Sequence, residues 1–192
     1  MDFKRAQNTI IEFGKKLYDN HFISSFDGNI SRRLENGVIV ATATRTNKAD
    51  LKPEDIVMVN LDGEALNEGK APSSEIKMHF AIYRANPDVH AIIHTHPIFT
   101  TALAAAHMTF EPDFLDEATV YSDVPLLPYA PAGSQELADQ VGEIARDHNA
   151  AILEKHGLVV WGSTLEETFF FTEKIEQEAH IYKLYRELMS FK

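Results

Sequence analysis

The segment Ala91-Ile92-Ile93-His94-Thr95-His96 sets three apolar residues directly before a His-x-His pair. Side chains of an extended chain alternate between faces, so a strand here turns His94 and His96 to one side at its end. Open sheets place functional groups at strand termini in this way. The chain is therefore constrained to build a sheet around a buried strand whose end carries chemistry. A third histidine follows another apolar stretch, in Ala151-Ile152-Leu153-Glu154-Lys155-His156-Gly157. A lone His-x-His pair is often only two solvated side chains, but a third imidazole after a second buried-looking run points to a metal site. Gly157 beside it fits a sharp turn that uses glycine's freedom in φ.

Glu75 follows Pro72-Ser73-Ser74 at an expected helix start and offers a carboxylate as a fourth group. Three imidazoles and a carboxylate suit Zn²⁺ or a neighbouring divalent transition ion, whereas Ca²⁺ and Mg²⁺ favour all-oxygen shells. The chain has no cysteine, which removes disulfides, thiolate zinc sites and thiol nucleophiles and leaves nitrogen and oxygen ligands. Of the nine histidines, His21, His90, His107, His148 and His180 lack paired spacing and read as surface or packing residues. His79 lies one helical turn after Glu75, on the same face, and reads as a group that supports a ligand.

At 192 residues, 44% hydrophobic and 24% charged, the chain is expected to form one soluble domain spanning 1–192. It contains no membrane-length apolar run, and Met1-Asp2-Phe3-Lys4-Arg5 does not open a secretory signal, so a cytoplasmic location is expected. The net charge of −11 opposes binding to nucleic-acid backbones and anionic membranes.

Helical and strand-like segments alternate along the chain. Ile10, Ile11, Phe13, Leu17 and Tyr18 form a helical stripe interrupted by Gly14. Residues 37–43 are β-rich, and 56–61 followed by Asp62-Gly63 read as a strand entering a hairpin turn. A helix over about 74–85 should end at Asn86-Pro87-Asp88, and Ser134 should cap another running toward Asp147. Short strands are expected at 151–154 and 158–161. Ser163-Thr164-Leu165-Glu166 reads as a capping box that launches a long helix with Phe171, Ile175, Ala179, Tyr182, Tyr185 and Met189 at core spacing. These elements indicate an α/β sandwich with a mostly antiparallel or mixed sheet. Neither a Gly-x-Gly-x-x-Gly nor a Walker pattern occurs.

Five motifs carry a resemblance. Gly28-Asn29-Ile30-Ser31, Ser73-Ser74-Glu75, His94-Thr95-His96-Pro97, Pro128-Tyr129-Ala130-Pro131-Ala132-Gly133-Ser134 and Lys155-His156-Gly157-Leu158 occur in the order seen in the class II aldolase/adducin family. The likeness runs over about residues 2–186. It implies a three-layer α/β/α sandwich, a homotetramer, and Zn²⁺ held by His94, His96 and His156 with Glu75 as ligand or catalytic acid/base. It also implies a phosphorylated sugar as substrate, its phosphate held by Asn29, Thr44, Ser73 and Ser74. The alternative reading of Ser73-Ser74, helix capping, is compatible with this because a helix N-terminus is itself an anion site.

Two departures bear on the substrate. Where the fuculose-phosphate branch of the family has glycine after the threonine of its second phosphate segment, this chain has Arg45, with Lys48 nearby. A guanidinium there suits a phosphate or a carboxylate gripped by two parallel hydrogen bonds. The tyrosine of the loop preceding Pro128 falls on Phe114, which leaves Glu117 or Tyr121, and less readily Asp116 or Asp123, to supply a proton. The resemblance favours an aldolase releasing dihydroxyacetone phosphate. The family also contains a 3-oxo-tetronate 4-phosphate decarboxylase, a methylthioribulose-phosphate dehydratase, a pentulose-phosphate epimerase and the adducin head, an interaction module. Retention of all the ligand positions weighs against the last.

Overall fold

The computed structural model describes residues 2–110 and 124–191. They form strands β1 Asn29–Arg33, β2 Ile39–Thr42, β3 Ile56–Val59, β4 Ala91–Thr95, β5 Leu126–Leu127, β6 Ala150–Leu153 and β7 Gly157–Gly162. The helices are α1 Phe3–Asp19, α2 Ile76–Ala85, α3 Ile98–Ala105, α4 Gln135–Ile144 and α5 Leu165–Met189. The strands make one sheet in the order β3-β2-β1-β4-β7-β6-β5. Every pairing is antiparallel except β5 with β6, so the mostly antiparallel α/β architecture read from the sequence is the one observed.

Period-two alternation divides the strands between two cores. Ile39 and Ala41 of β2, Ile92 of β4, and Val159 and Trp161 of β7 face one way, against Met78 and Ile82 of α2 and Leu137 and Val141 of α4. Val40, Ala91 and Ile93 face the other way, against Ile10, Phe13 and Leu17 of α1. On that same side Ile152, Leu158 and Val160 meet α3 and the Ile175-Ala179-Tyr182 stripe of α5. With helices on both faces, β4 is buried at all five positions, which is why its sequence reads as an apolar run rather than an alternation. Among the described residues no helix is long and apolar enough to cross a membrane.

Several local expectations shift in register. Gly14 does not interrupt α1. A Cβ there would lie 2.7 Å from Leu51 Cδ1 and 3.0 Å from Lys48 O, so the glycine marks a close approach of the Lys48–Asp50 turn. Tyr18, in the last turn of α1, is exposed. The cap of α5 sits one residue later than expected: Thr164 Oγ1 accepts from Glu167 N at 3.1 Å, and the Glu167 carboxylate accepts from Ser163 N at 2.9 Å. Met189 leaves the core because α5 outruns its strands. Its 25 residues extend about 37 Å, against about 20 Å for a six-residue strand such as β7.

Candidate metal centre and its cleft

Three segments deliver the four expected ligands to one end of the sheet. His94 is the fourth residue of β4 and pairs with Asn29 on β1 and Val159 on β7. His96 follows the strand, its main-chain N–H donating to Phe22 O at 3.0 Å. His156 lies in the turn between β6 and β7, and Glu75 is the N-cap residue of α2. Two glycines permit the approach. Gly28 adopts φ +70°, and a Cβ on it would lie 2.6 Å from His94 O. At Gly157 the requirement is space and not φ: a Cβ would lie 2.4 Å from Thr95 O and 2.7 Å from His96 Cδ2. The left-handed residue of that turn is Lys155, at φ +57°, which corrects the conformational role expected of Gly157.

The side chains converge. His94 Nδ1 donates to Leu158 O at 2.9 Å, which in the neutral ring leaves the lone pair on Nε2. That Nε2 is 3.1 Å from His96 Nε2 and 3.3 Å from Glu75 Oε2, while His156 Nε2 is 3.1 Å from Glu75 Oε1. Ligand atoms around a tetrahedral ion at 2.0–2.1 Å are about 3.3–3.4 Å apart, so the spacing fits a small ion such as Zn²⁺. Glu75 Oε1 is buried without an aligned hydrogen bond despite its proximity to His156. Groups that aim at a shared point, and not at one another, produce this pattern. The three histidines thus form a set able to hold a metal ion, with Glu75 beside them.

The electrostatics agree. Burial works to raise the Glu75 carboxyl, but His94 and His156 outweigh it and hold it well below the usual carboxylate range. Burial opposes charge on His94, yet the Glu75 carboxylate draws its imidazole upward. A buried carboxylate demands a cation beside it. His96 is pushed down to about 3 by burial and by the adjacent His94 and His156, which keeps it in the neutral form a metal requires.

The set opens into a cleft of about 300 Å³ whose walls include Asn29, Thr44, Arg45, Ser73, Ser74 and Glu75. Asn29 is only partly available to an anion, because its Nδ2 donates to Glu75 Oε2 at 2.9 Å. Ser73 Oγ accepts from Glu75 N at 3.3 Å, whereas Ser74 is exposed at the mouth. The helix begins at Ile76, two residues later than expected. Arg45 is exposed and left-handed, at φ +54°. This is the position at which the fuculose-phosphate branch has glycine, so the backbone conformation is one that glycine adopts freely. Glu117 and Tyr121, with Phe114, Asp116 and Asp123, lie outside the described residues. Asp27 and Lys48 also line the cleft. No local pattern marked Asp27, and Lys48 stood out only as a cation near Arg45.

His79 is buried on the inner face of α2, the helix that Glu75 caps, its Nδ1 2.7 Å from Ser31 Oγ, which in turn is 2.9 Å from Tyr83 OH. Burial, and then His94, push it down from 6.5 to about 3. The folded protein therefore holds His79 neutral while the unfolded chain protonates near 6.5. Stability from this residue is complete above that pH and is lost as pH falls toward 3. Denaturant titrations should show a steeper acid decline for the parent than for a His79→Gln variant across this window. Parallel declines would deny His79 this role.

Comparison with known proteins follows the same lines. The family model for the class II aldolase and adducin N-terminal domain matches residues 8–183. An L-fuculose phosphate aldolase of Methanococcus vannielii is 37% identical over 176 residues, covering 91% of this chain and 92% of the relative. A 3-oxo-tetronate 4-phosphate decarboxylase of Escherichia coli K12 is 31% identical over 189 residues, covering 94% and 89%. The crystal structure of L-fuculose-1-phosphate aldolase from Thermus thermophilus superposes with a TM-score of 0.84 at 30% identity, covering 97% of this chain and 96% of that one. Matching over nearly its whole length, and built on the same sheet, the chain belongs to the class II aldolase and adducin family.

Proposed function

We propose that the protein is a zinc-dependent lyase that cleaves a ketose 1-phosphate to dihydroxyacetone phosphate and an aldehyde. The observation that carries this reading is the convergence of His94, His96 and His156, with Glu75 beside them, at a cleft whose walls include Asn29, Thr44, Ser73 and Ser74. Those four residues would hold the ion, which supplies Lewis-acid stabilisation of the negative charge developing on the substrate's carbonyl oxygen. Breaking the C3–C4 bond turns the C4 hydroxyl into an aldehyde with loss of its proton, and leaves the electron pair on the phosphate-bearing fragment. Glu75, ionised beside the histidines, would act as acid/base at C3: it first takes up a proton and then delivers it to the electron pair left there. Donation or removal of the C4 hydroxyl proton falls to Glu117 or Tyr121 in this proposal. Thr44, Arg45, Ser73, Ser74 and the second N–H of Asn29 would hold the phosphate, beside the N-terminus of α2.

Arg45 on the cleft wall favours a second reading, decarboxylation of a 3-oxo-tetronate 4-phosphate, with the guanidinium gripping the substrate carboxylate. Homologues named for either reaction are similar to this chain. Incubating the metal-loaded protein with each substrate class separates the two: dihydroxyacetone phosphate release supports the aldolase, carbon dioxide release the decarboxylase, and neither product overturns both. Assembly as a homotetramer belongs to the same proposal, and exposed Leu184, Leu188 and Phe191 supply apolar surface for it. Sedimentation analysis checks that state.

Ser74 tests the phosphate end without touching the ligands. Ser74→Ala should weaken binding of dihydroxyacetone phosphate by about 1.5–3 kcal/mol, the worth of one hydrogen bond to a charged group. Affinity for unphosphorylated dihydroxyacetone and zinc content should stay unchanged. An unaltered affinity ratio between the two compounds would move the phosphate elsewhere.

A further inference from the structure

Lys48 is 2% exposed, although lysine is almost never fully buried without a paired carboxylate. Its Nζ donates to Phe26 O and Thr46 O, both at 2.9 Å. Both acceptors are neutral, and an ammonium has a third N–H. Among the described residues no carboxylate forms an ion pair with it. Asp27, Glu75 and Asp55 act on it only through space, and Asp55 is itself paired with Lys70 at 2.5 Å. The lysine does not reach this position by a floppy stem. Its turn is pinned by Asn47, which accepts from Ala49 N at 3.0 Å, and by the close approach of Lys48 O to Gly14 of α1. A positive charge has thus been built into the wall of the cleft with two-thirds of its hydrogen bonds spent on holding it there.

The cleft needs such a charge. Its neutral hydroxyls can orient a dianion but cannot neutralise one, and Asp27 and Glu75 on the same walls repel it. Arg45, the other cation, stands at the exposed rim where solvent screens it. We propose that Lys48 is the buried counter-charge for the substrate's phosphate, its third N–H donating to a phosphate oxygen from the inner wall. This rests on the sugar-phosphate reading of the cleft and assigns its specificity for a dianion to one residue. Burial pulls the ammonium down to about 8, with Asp27, Glu75 and Asp55 opposing, so a dianion in contact also stabilises the charged form.

The test compares the metal-loaded parent with a Lys48→Met variant, similar in shape but neutral, by calorimetric titration with sulfate, dihydroxyacetone phosphate and glycolate. Glycolate offers a hydroxy acid to the metal end and no phosphate. Sulfate and dihydroxyacetone phosphate should each lose roughly tenfold or more in affinity, the worth of a hydrogen bond to a charged group, while glycolate affinity and zinc content hold. Unchanged sulfate and dihydroxyacetone phosphate affinities would overturn the assignment, and so would an equal loss for glycolate, which would make Lys48 a support of the metal end. A second measurement avoids substitution altogether: the Lys48 Nζ resonance of the parent should shift when sulfate is added, and a stationary resonance at saturating sulfate removes the contact. A zinc-loaded parent that binds neither phosphate nor sulfate defeats the sugar-phosphate reading itself and this proposal with it.

Discussion

A protein in which His94 and His96 are both replaced by alanine is expected to lose its ion and its activity together. The parent should carry about one divalent ion per chain, because three imidazoles and a carboxylate complete a tetrahedral shell. The double variant keeps only His156 and Glu75, too few to retain zinc through purification. His94 also has a structural part: it is fully buried, and its removal leaves Leu158 O without its partner, a cost of about 1–3 kcal/mol. His96 is partly exposed and makes no comparable main-chain bond from its ring, so a single His96→Ala variant separates loss of metal from loss of fold. Metal analysis beside circular dichroism reads both. Full occupancy in a folded double variant would remove these histidines from the site.

For Glu75→Gln the expected result is a protein that keeps most of its zinc yet loses roughly 10²–10⁴ in the rate of proton exchange into dihydroxyacetone phosphate. The amide is close in shape, and its oxygen can still accept from Asn29 Nδ2, so the packing around the N-terminus of α2 survives. What disappears is a carboxylate able to take up and release a proton. Three histidines remain to hold the ion, and for that reason metal affinity should weaken without collapsing. A residue acting only as a ligand would show the converse: loosened zinc, with exchange per bound ion preserved. Undiminished exchange at full occupancy would take Glu75 out of the chemistry and direct attention to Glu117 or Tyr121. Deuterium incorporation followed by NMR, with zinc measured in the same samples, decides between these outcomes.

The parts of this molecule legible in the sequence are those set by local periodicity. His94 and His96 share a face because a strand alternates every second residue, and Ile92 continues that alternation into the core beneath them. The run preceding them reads as a buried strand, and the structure sets it in the middle of the sheet, covered on both faces. Helix positions followed from stripes such as Ile10, Phe13 and Leu17. Where local signals compete, the reading slipped: Ser163, Thr164, Glu166 and Glu167 allow two overlapping capping patterns, and the structure uses Thr164 with Glu167. Ordered motifs named the ligands, but their convergence is a property of strand pairing. His94 meets His156 because β4 lies against β7, whose leading turn carries His156, and Glu75 joins them because α2 packs across β1 and β4 from the same side. Lys48 lay furthest from reach. In sequence it is one more cation near Arg45 in a polar loop, and its meaning depends on being dehydrated. Burial is a sum over neighbours that include α1 and the Phe26 loop, both distant along the chain, and no short-range pattern of residues encodes that sum.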